Sequence, residues 1–537
     1  MPVPALPLRV QKPGSKGLNT QDQTGTLDAE WATALENVAF DTAGRAVARK
    51  GWTQVTTSGS VADDIESMHL FEDGANTTLI SAFNGEIYHG TTSFSSSIKG
   101  TISTVGTDNW QFFSWNNGTN DFVIGVGEGN TTAVSQVSAG TPANFADLAN
   151  APQGNCGMHA HGRIWIAESN QLEVTACAVK DHTTWTGGTE FAFDTQGYWP
   201  SQQQDRITAL ASWEDKVVVF GRENVLIYAN GGDTANWALV DAIQGIGCVA
   251  RDSVQPIGND LVFLSDTGLR SLKRTIQNER FPHEELGNQV RDTLIPYIKG
   301  NETNIKSIYS PEEGFYLLLI KDSTETVVFM YDFKQDGAVT LLGTRTPRLD
   351  EVKVSIWKGW DATALAHAWD GTLYAGFRDV NDNNYAIVGK YEGFLDDTET
   401  YTMKYTSPWY DLTNLLPEAQ ANYKIPKSAV WSVVGGLGYS PTIRWAYDYS
   451  ANDTGSSNFT IPDDGGSSVP EWDASSNLAE YNVSEWGYVI SEVLSEKKVH
   501  LSGQGDTFSI TLECVINDNS FALQRMELFL KRGRLAR

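Results

Sequence analysis

From about residue 44 to residue 400 the chain alternates short apolar runs of four to six residues with clusters of Gly, Asn, Asp and Ser. Runs this short, bounded by turn formers, predict β-strands joined by tight turns. Seven runs share one layout of turn residue, short gap and buried-type strand, with Ile87, Phe122, Ile164, Val217, Leu261, Phe315 and Leu373 as anchors. Their spacings are 35, 42, 53, 44, 54 and 58 residues, with a mean close to 48. A propeller blade of four short strands repeats every ~40–50 residues. One such blade cannot bury both faces alone, whereas blades stacked round an axis do, and they leave only short edges. Val217–Phe220 turning into Val225–Tyr228, and Leu261–Leu264 into Leu269–Leu272, read as hairpins of an antiparallel meander. The pattern predicts an all-β protein built on a β-propeller of six or seven blades; irregular β-sandwiches with coincidental spacing are the competing arrangement.

The flanks differ. Residues 1–26 are rich in Pro, Gly, Gln and Thr and read as an extended arm. Residues 27–39 place Trp31, Leu35 and Val38 on one side of a short amphipathic helix. Leu286, Val290, Leu294 and Ile298 recur every fourth residue, predicting a helical insertion over 284–298 whose end Pro296 disturbs. After residue 400 the strands lengthen, a Ser/Asn/Asp/Gly-rich loop spans 449–475, and Leu523–Leu530 alternates. The expected domains are therefore an arm with a short helix over 1–43, the propeller over 44–400, and a separate β-sandwich-like domain over 401–537.

Charge narrows the function classes. Lys and Arg number 39 against 66 Asp and Glu, a formal charge of −27, so broad phosphate neutralisation of a nucleic acid is excluded. With 17 Trp, 19 Tyr and 22 Phe, and 20% charged residues, the chain is not a disordered type. No apolar run approaches the ~20 residues of a membrane-spanning helix, and Met1 to Leu8 lacks a signal-peptide core. Cys156, Cys177, Cys248 and Cys514 form no C-x-x-C pair, so folding in a reducing cytosol is expected. The sequons at Asn76, Asn117, Asn130 and Asn301 then read as Asn- and Thr-rich turns. The basic residues gather at the ends: Arg9, Lys12 and Lys16 in the arm, and Lys531, Arg532, Arg534 and Arg537 in the tail.

Catalytic signatures are sparse. The sequence contains no phosphate loop, no G-x-S-x-G elbow and no H-E-x-x-H. Cys156, His159 and His161 carry zinc-type ligand chemistry, but no fourth ligand is evident and a histidine opening a strand is ordinary. Asp379 to Asn384 mimics the start of a calcium loop without its glycine and glutamate, and reads better as a hairpin turn. Ser265–Gly268 evokes the turn of sialidase propellers with the wrong spacing to the next aromatic residue. Adjacent carboxylates, such as Asp63-Asp64, Asp396-Asp397 and Asp463-Asp464, are ordinarily solvated. The tryptophans fit blade cores better than sugar platforms. The expectation is no cofactor and no enzymatic activity.

Three further motifs stand at the start: Gly17-Leu18-Asn19-Thr20, Leu35-Glu36-Asn37-Val38, and Gly44 to Trp52 in the form G-x-x-x-x-R-x-G. Ser407-Pro408-Trp409-Tyr410 and the closing Phe521 to Met526, through Gly533-Arg534, stand towards the end. In this order the motifs resemble the tail nozzle proteins of short-tailed bacteriophages, also called tail tubular or packaged-DNA stabilisation proteins. The resemblance spans nearly the whole chain. It implies a homo-oligomer in a six-fold ring below the portal and adaptor proteins of a virion tail, made in the host cytoplasm. Such a ring extends the channel for genomic double-stranded DNA, which passes without specific binding, and carries tail fibres or a plug. Acidic walls would suit that passage, because they repel phosphate. The basic arm and tail would then be docking elements. Two alternatives remain beside it: a propeller glycosidase or depolymerase acting on host surface polysaccharide, and a monomeric propeller that binds partners.

Overall fold

The computed structural model describes residues 6–56, 61–74, 76–90, 93–94, 97–102, 108–127, 130–186, 190–200, 204–229, 231–277, 285–322, 325–334, 352–379, 385–411, 422–462 and 494–535. The chain divides into two compact units. One is built from Met1–Thr53, Phe329–Lys358 and Glu392–Arg537, the other from Gln54–Val328 and Gly359–Tyr391.

The second unit is a β-propeller. Six antiparallel sheets and, in sixth place, the opening strands of a nine-stranded sheet follow one another along the chain. They begin with the strands Ser67–Glu72, Trp110–Asn116, Gly154–Ala160, Ile207–Trp213, Gln255–Ile257, Ile305–Ser310 and Ala364–His367. Each first strand packs beside the next, the single turn Arg251–Ser253 helping to fill the fifth position, and the seventh packs against the first. The ring is thus closed. Cores form between blades. Phe113, Ile124 and Val126 of the second blade meet Ile164 and Ile166 of the third, and Trp165 and Val174 of the third meet Leu210, Val219 and Tyr228 of the fourth. Ile65, Leu79 and Phe83 of the first meet Ala364, Ala386 and Val388 of the seventh. The ring is latched by the chain that precedes the first blade. The amide of Val55 donates to the Val388 carbonyl (2.8 Å), and the amide of Val388 donates to Thr56 Oγ1 (2.9 Å).

Six of the seven anchors lie on the second strands of successive blades, from Phe122 in Asp121–Gly127 to Leu373 in Leu373–Asp379. Ile87 lies instead on the third strand of the first blade, Glu86–His89, which is why the first spacing is short. The predicted helix over 284–298 is shorter than expected. Gly287 stands in the left-handed region (φ 71°), and only Arg291–Ile298 is α-helical, after the single turn Asn288–Val290. Leu286, Val290, Leu294 and Ile298 are all buried nonetheless.

The unit at the chain's two ends corrects two expectations. No helix forms over 27–39: Ala34–Glu36 and Val38–Phe40 are strands, separated by Asn37 at φ 56°, which turns the chain out of one pairing and into another. The arm contains an extended strand, Leu6–Gln11, which pairs antiparallel with Phe521–Leu535, Leu8 standing opposite Leu528. Residues 401–537 do not make a separate domain, and the expected C-terminal sandwich is not confirmed. Their strands share sheets with the N-terminal segments: Ala34–Glu36 pairs Tyr401–Thr406, and Ala46–Ala48 joins Phe521–Leu535. Alternation along the last strand is as predicted, with Leu523, Met526, Leu528 and Leu530 buried.

Candidate functional sites at the shared chain ends and the propeller axis

The N-terminal motifs meet the C-terminal segments in one unit. The amide of Leu18 donates to the Val354 carbonyl (2.8 Å), and Gly17, at φ 95°, leaves no room for a Cβ, which would lie 2.8 Å from the Val354 nitrogen. The side-chain amide of Asn37 donates to the Thr402 carbonyl (2.9 Å), while its oxygen accepts from the Lys358 amide (3.0 Å) and from Arg49 Nε (3.1 Å). Arg49 is fully buried. Its two terminal nitrogens donate to the two Asp396 oxygens at 2.7 and 2.6 Å, Nη1 also donates to the Lys50 carbonyl (3.0 Å), and the guanidinium lies 4.0 Å from the Tyr401 ring centroid. Gly51 follows because a Cβ there would fall 1.8 Å from the Leu395 carbonyl oxygen. Among the C-terminal motif residues, Ser407 exchanges backbone and hydroxyl bonds with Ile510, and the Tyr410 amide donates to the Phe508 carbonyl (2.8 Å). The spacing G-x-x-x-x-R-x-G thus encodes a buried ion pair beside a backbone crossing.

The basic candidates among the described residues are largely engaged within the chain. Arg9 pairs with Glu527 (2.8 Å), Lys16 with Asp28, Lys12 donates to the Ala43 carbonyl, and Arg532 donates to Asn422 Oδ1 (2.8 Å). Arg9 stands opposite Glu527 in the last strand, while Lys531 and Arg532 stand opposite Ile425 and Lys424 further along it. Arg534 is exposed on the same strand, and Arg537 lies outside the described residues.

The propeller axis carries a polar network that no motif announced. Arg251 donates through Nε and Nη2 to the two Asp252 oxygens (2.8 and 2.9 Å) and through Nη2 to Asn109 Oδ1 (2.9 Å); Nη1 reaches the Asn155 carbonyl (3.3 Å). Lys306 Nζ donates to Asp252 Oδ2 (2.6 Å). These residues belong to the second, third, fifth and sixth blades, so one guanidinium ties together blades that are not neighbours in the ring. Burial alone would raise the Asp252 carboxyl, yet Arg251 and Lys306 outweigh it and hold it well below the usual carboxylate range. Nearby, burial and then the carboxylates of Asp108 and Asp63 push the Glu66 carboxyl up, and burial, with Asp63 and Glu86, pushes up Asp108. Carboxyls that keep their protons to higher pH have a property that general acids use. Sequence reading missed this cluster because it depends on which turns face the axis, which only blade register reveals.

The metal candidates are not brought together. Cys156 is buried in the core between the third and fourth blades, its thiol pushed up to about 12 by burial. His159 lies on the opposite face of the same strand, and His161 occupies the following turn at φ 54°. Among the described residues no group of three His, Cys, Asp or Glu side chains could hold a metal ion. The calcium-like stretch after Asp379 and the pair Asp463-Asp464 lie outside the described residues.

No protein-family model matches the chain, and no curated protein matches it. Among solved structures it is similar to an exo-β-1,3-galactanase from Phanerochaete chrysosporium with galactose, at 8% identity and a TM-score of 0.27, covering 88% of this chain and 99% of that one. It is also similar to the WD40 domain of Pan2 from Neurospora crassa, at 9% identity and a TM-score of 0.37, covering 64% of this chain and 96% of that one. With an enzyme among these structures, the expectation that the chain is not an enzyme is withdrawn. At these scores the likeness names no reaction for this chain.

Proposed function

We propose that this protein is a tail nozzle component of a short-tailed bacteriophage, working as a ring of identical copies that extends the DNA channel below the portal and adaptor. The observation that carries the reading is the convergence of the nozzle-like motifs. Gly17-Leu18, Asn37, Arg49, Gly51, Ser407 and Tyr410, separated by up to nearly 400 residues in sequence, belong to one unit. Asn37, Arg49 and Gly51 bond to residues 393–402 and Leu18 to Val354, while Ser407 and Tyr410 bond to Ile510 and Phe508. Residues held in this way act as a framework for the chain's ends, which is what a unit used for docking to neighbours requires.

The DNA passage belongs, in this reading, to the space enclosed by several copies. Within the propeller, Arg251, Asp252 and Lys306 bond across the ring from blade to blade. The charge of −27 supports a wall that repels phosphate, because a conduit lined with Lys and Arg would hold DNA by counterion release. A cyclic homo-oligomer follows from the same role.

Negative-stain electron microscopy of the purified protein, alone and mixed with its adaptor, tests the proposal. Rings with a central channel in the mixture are the expected result. Single propellers that never assemble on the adaptor would overturn it.

A further inference from the structure

One turn of the propeller, independent of the assembly reading, exposes what the rest of the unit hides. Trp369 stands between the first strand of the seventh blade, Ala364–His367, and the second, Leu373–Asp379. It is 81% exposed, the most exposed large apolar side chain among the described residues. Every other described tryptophan is buried or half-buried. The backbone beneath the indole is fixed. The Ala368 amide donates to the Thr372 carbonyl (2.8 Å), the Gly371 amide to the Ala368 carbonyl (3.1 Å), and the Trp369 amide to Glu72 Oε2 (2.8 Å). A bare ring on a fixed turn leaves little to be ordered on binding.

Carboxylates from three successive blades surround this turn. Glu72 closes the first strand of the first blade, Ser67–Glu72, and holds the Trp369 amide. Glu312 follows the first strand of the sixth blade, Ile305–Ser310, and lies against Gly371 (φ 86°), where a Cβ would fall 1.8 Å from Glu312 Cδ. Asp370 adjoins Trp369 and accepts from the Thr372 amide (2.9 Å). All three act on one imidazole, His367, where the turn begins. Among the described residues, no lysine or arginine forms an ion pair with Glu72, Glu312 or Asp370. Lys390 favours the charged form of Asp370 without pairing with it. Burial pushes the His367 imidazole down, against the pull of the same three carboxylates, so it is largely neutral at neutral pH and does not offset them.

Charge selects what this surface can hold. The face of an indole carries the negative side of the ring quadrupole and attracts a cation placed over it. Three carboxylates beside it add attraction of the same sign and repel an anion. A neutral group would gain the ring and leave the carboxylates unpaired. Among cations, a guanidinium suits both, being planar for the indole and forked for the carboxylates. The indole is open to solvent on nearly every side, whereas small-molecule sites are concave. A tryptophan presented on an open surface is the type of residue that anchors protein interfaces. We infer that the Trp369 turn docks a basic segment of a partner polypeptide, with an arginine side chain laid on the indole and its guanidinium facing Glu72, Glu312 and Asp370.

Fluorescence anisotropy of the full chain with a fluorescein-labelled Gly-Arg-Gly-Arg-Gly peptide tests the site, at about 0.15 M salt to screen distant charges. The same peptide with citrulline in place of arginine is the neutral control. Binding of the arginine peptide and not of the citrulline one is the expected result. Trp369→Ala leaves the net charge unchanged and should weaken binding about tenfold, while Trp369→Phe should retain part of the difference. Glu312→Gln should weaken it as well. Asp215→Asn, which removes an exposed charge from the fourth blade, should not. No binding of the arginine peptide, equal binding of the citrulline peptide, or unchanged affinity in Trp369→Ala would overturn the assignment. Equal losses in Asp215→Asn and Glu312→Gln would also overturn it, by reducing the effect to overall charge, and so would free arginine binding as tightly as the peptide, which would make this a small-cation site. Trp369 and Glu312 are both exposed, so their variants should melt with the parent protein. Peptide binding needs only one copy of the chain, so its failure would leave the ring-assembly test standing.

Discussion

Replacing Arg49 with Met should be among the most damaging single changes in the unit formed by the chain ends. The substitution keeps side-chain length and removes the charge. It leaves Asp396, with 11% of its side chain exposed, ionised and without its two guanidinium donors. It also removes the bonds to Asn37 and to the Lys50 carbonyl, and the contact with the Tyr401 ring. Asn37 keeps the Lys358 amide, so its oxygen is not orphaned. Breaking a buried pair from one side costs about 3–5 kcal/mol, mostly for the charge left behind. At a slope of roughly 3 kcal/mol per M of urea, the unfolding midpoint followed by tryptophan fluorescence should fall by about 1 M or more. Arg49→Lys should recover little, since one ammonium cannot span both oxygens. The double variant Arg49→Met with Asp396→Leu should cost clearly less than the sum of the two single changes. A cost below about 1 kcal/mol for Arg49→Met, or strict additivity in the double variant, would refute the reasoning.

Acidification should destabilise the propeller before carboxylates titrate. Burial, and then His159, pushes His69 from 6.5 down to about 4, and burial lowers His89, His159, His182 and His367 as well. The unfolded chain takes up these protons first, so stability is full above pH ~6.5 and falls as pH drops towards 4; melting curves should show that slope, and His69→Gln should flatten it. All four cysteines are buried and free, with Cys156 pushed up to about 12 and Cys177 and Cys248 to about 11 by burial. A thiol reagent at neutral pH should therefore label none of them in the native protein and all four in denaturant; rapid labelling of native Cys156 would contradict the packing between the third and fourth blades.

The propeller was legible because its signal is local. Second strands such as Val217–Phe220 and Leu261–Leu264 are apolar on both faces, lying in the middle of a blade, and their recurrence marked the blades one by one. The first blade broke the rhythm because its second strand, Thr77–Phe83, opens with Thr77-Thr78 and lacks the turn signature that precedes Ile87. The end unit was legible as motifs but not as a shape. Nothing near Leu35 shows that its partner is Tyr405, so three apolar residues at helical spacing suggested a helix where a strand pairs across 370 residues. Gly51 and Arg49 could be noticed, but the reason for them, Leu395 and Asp396, lies in a segment that local reading assigned to the propeller. The axial network of Arg251, Asp252 and Lys306 left no trace, because an Arg-Asp pair in an acidic chain is common and its meaning comes from ring closure.

The order in which the units can be completed follows from the way the chain threads them. The last segment of the propeller unit ends at Tyr391, and its latch, Val55 and Thr56, leaves the ribosome early. The unit at the ends must wait for Phe521–Leu535, which provides the partner strand for Leu6–Gln11 and is made long after it. A chain cut between residues 392 and 520 keeps every segment of the propeller unit yet lacks the strand that the arm pairs with. Completion of the end unit is therefore tied to the synthesis of Phe521–Leu535, whereas the segments of the propeller are all made before it.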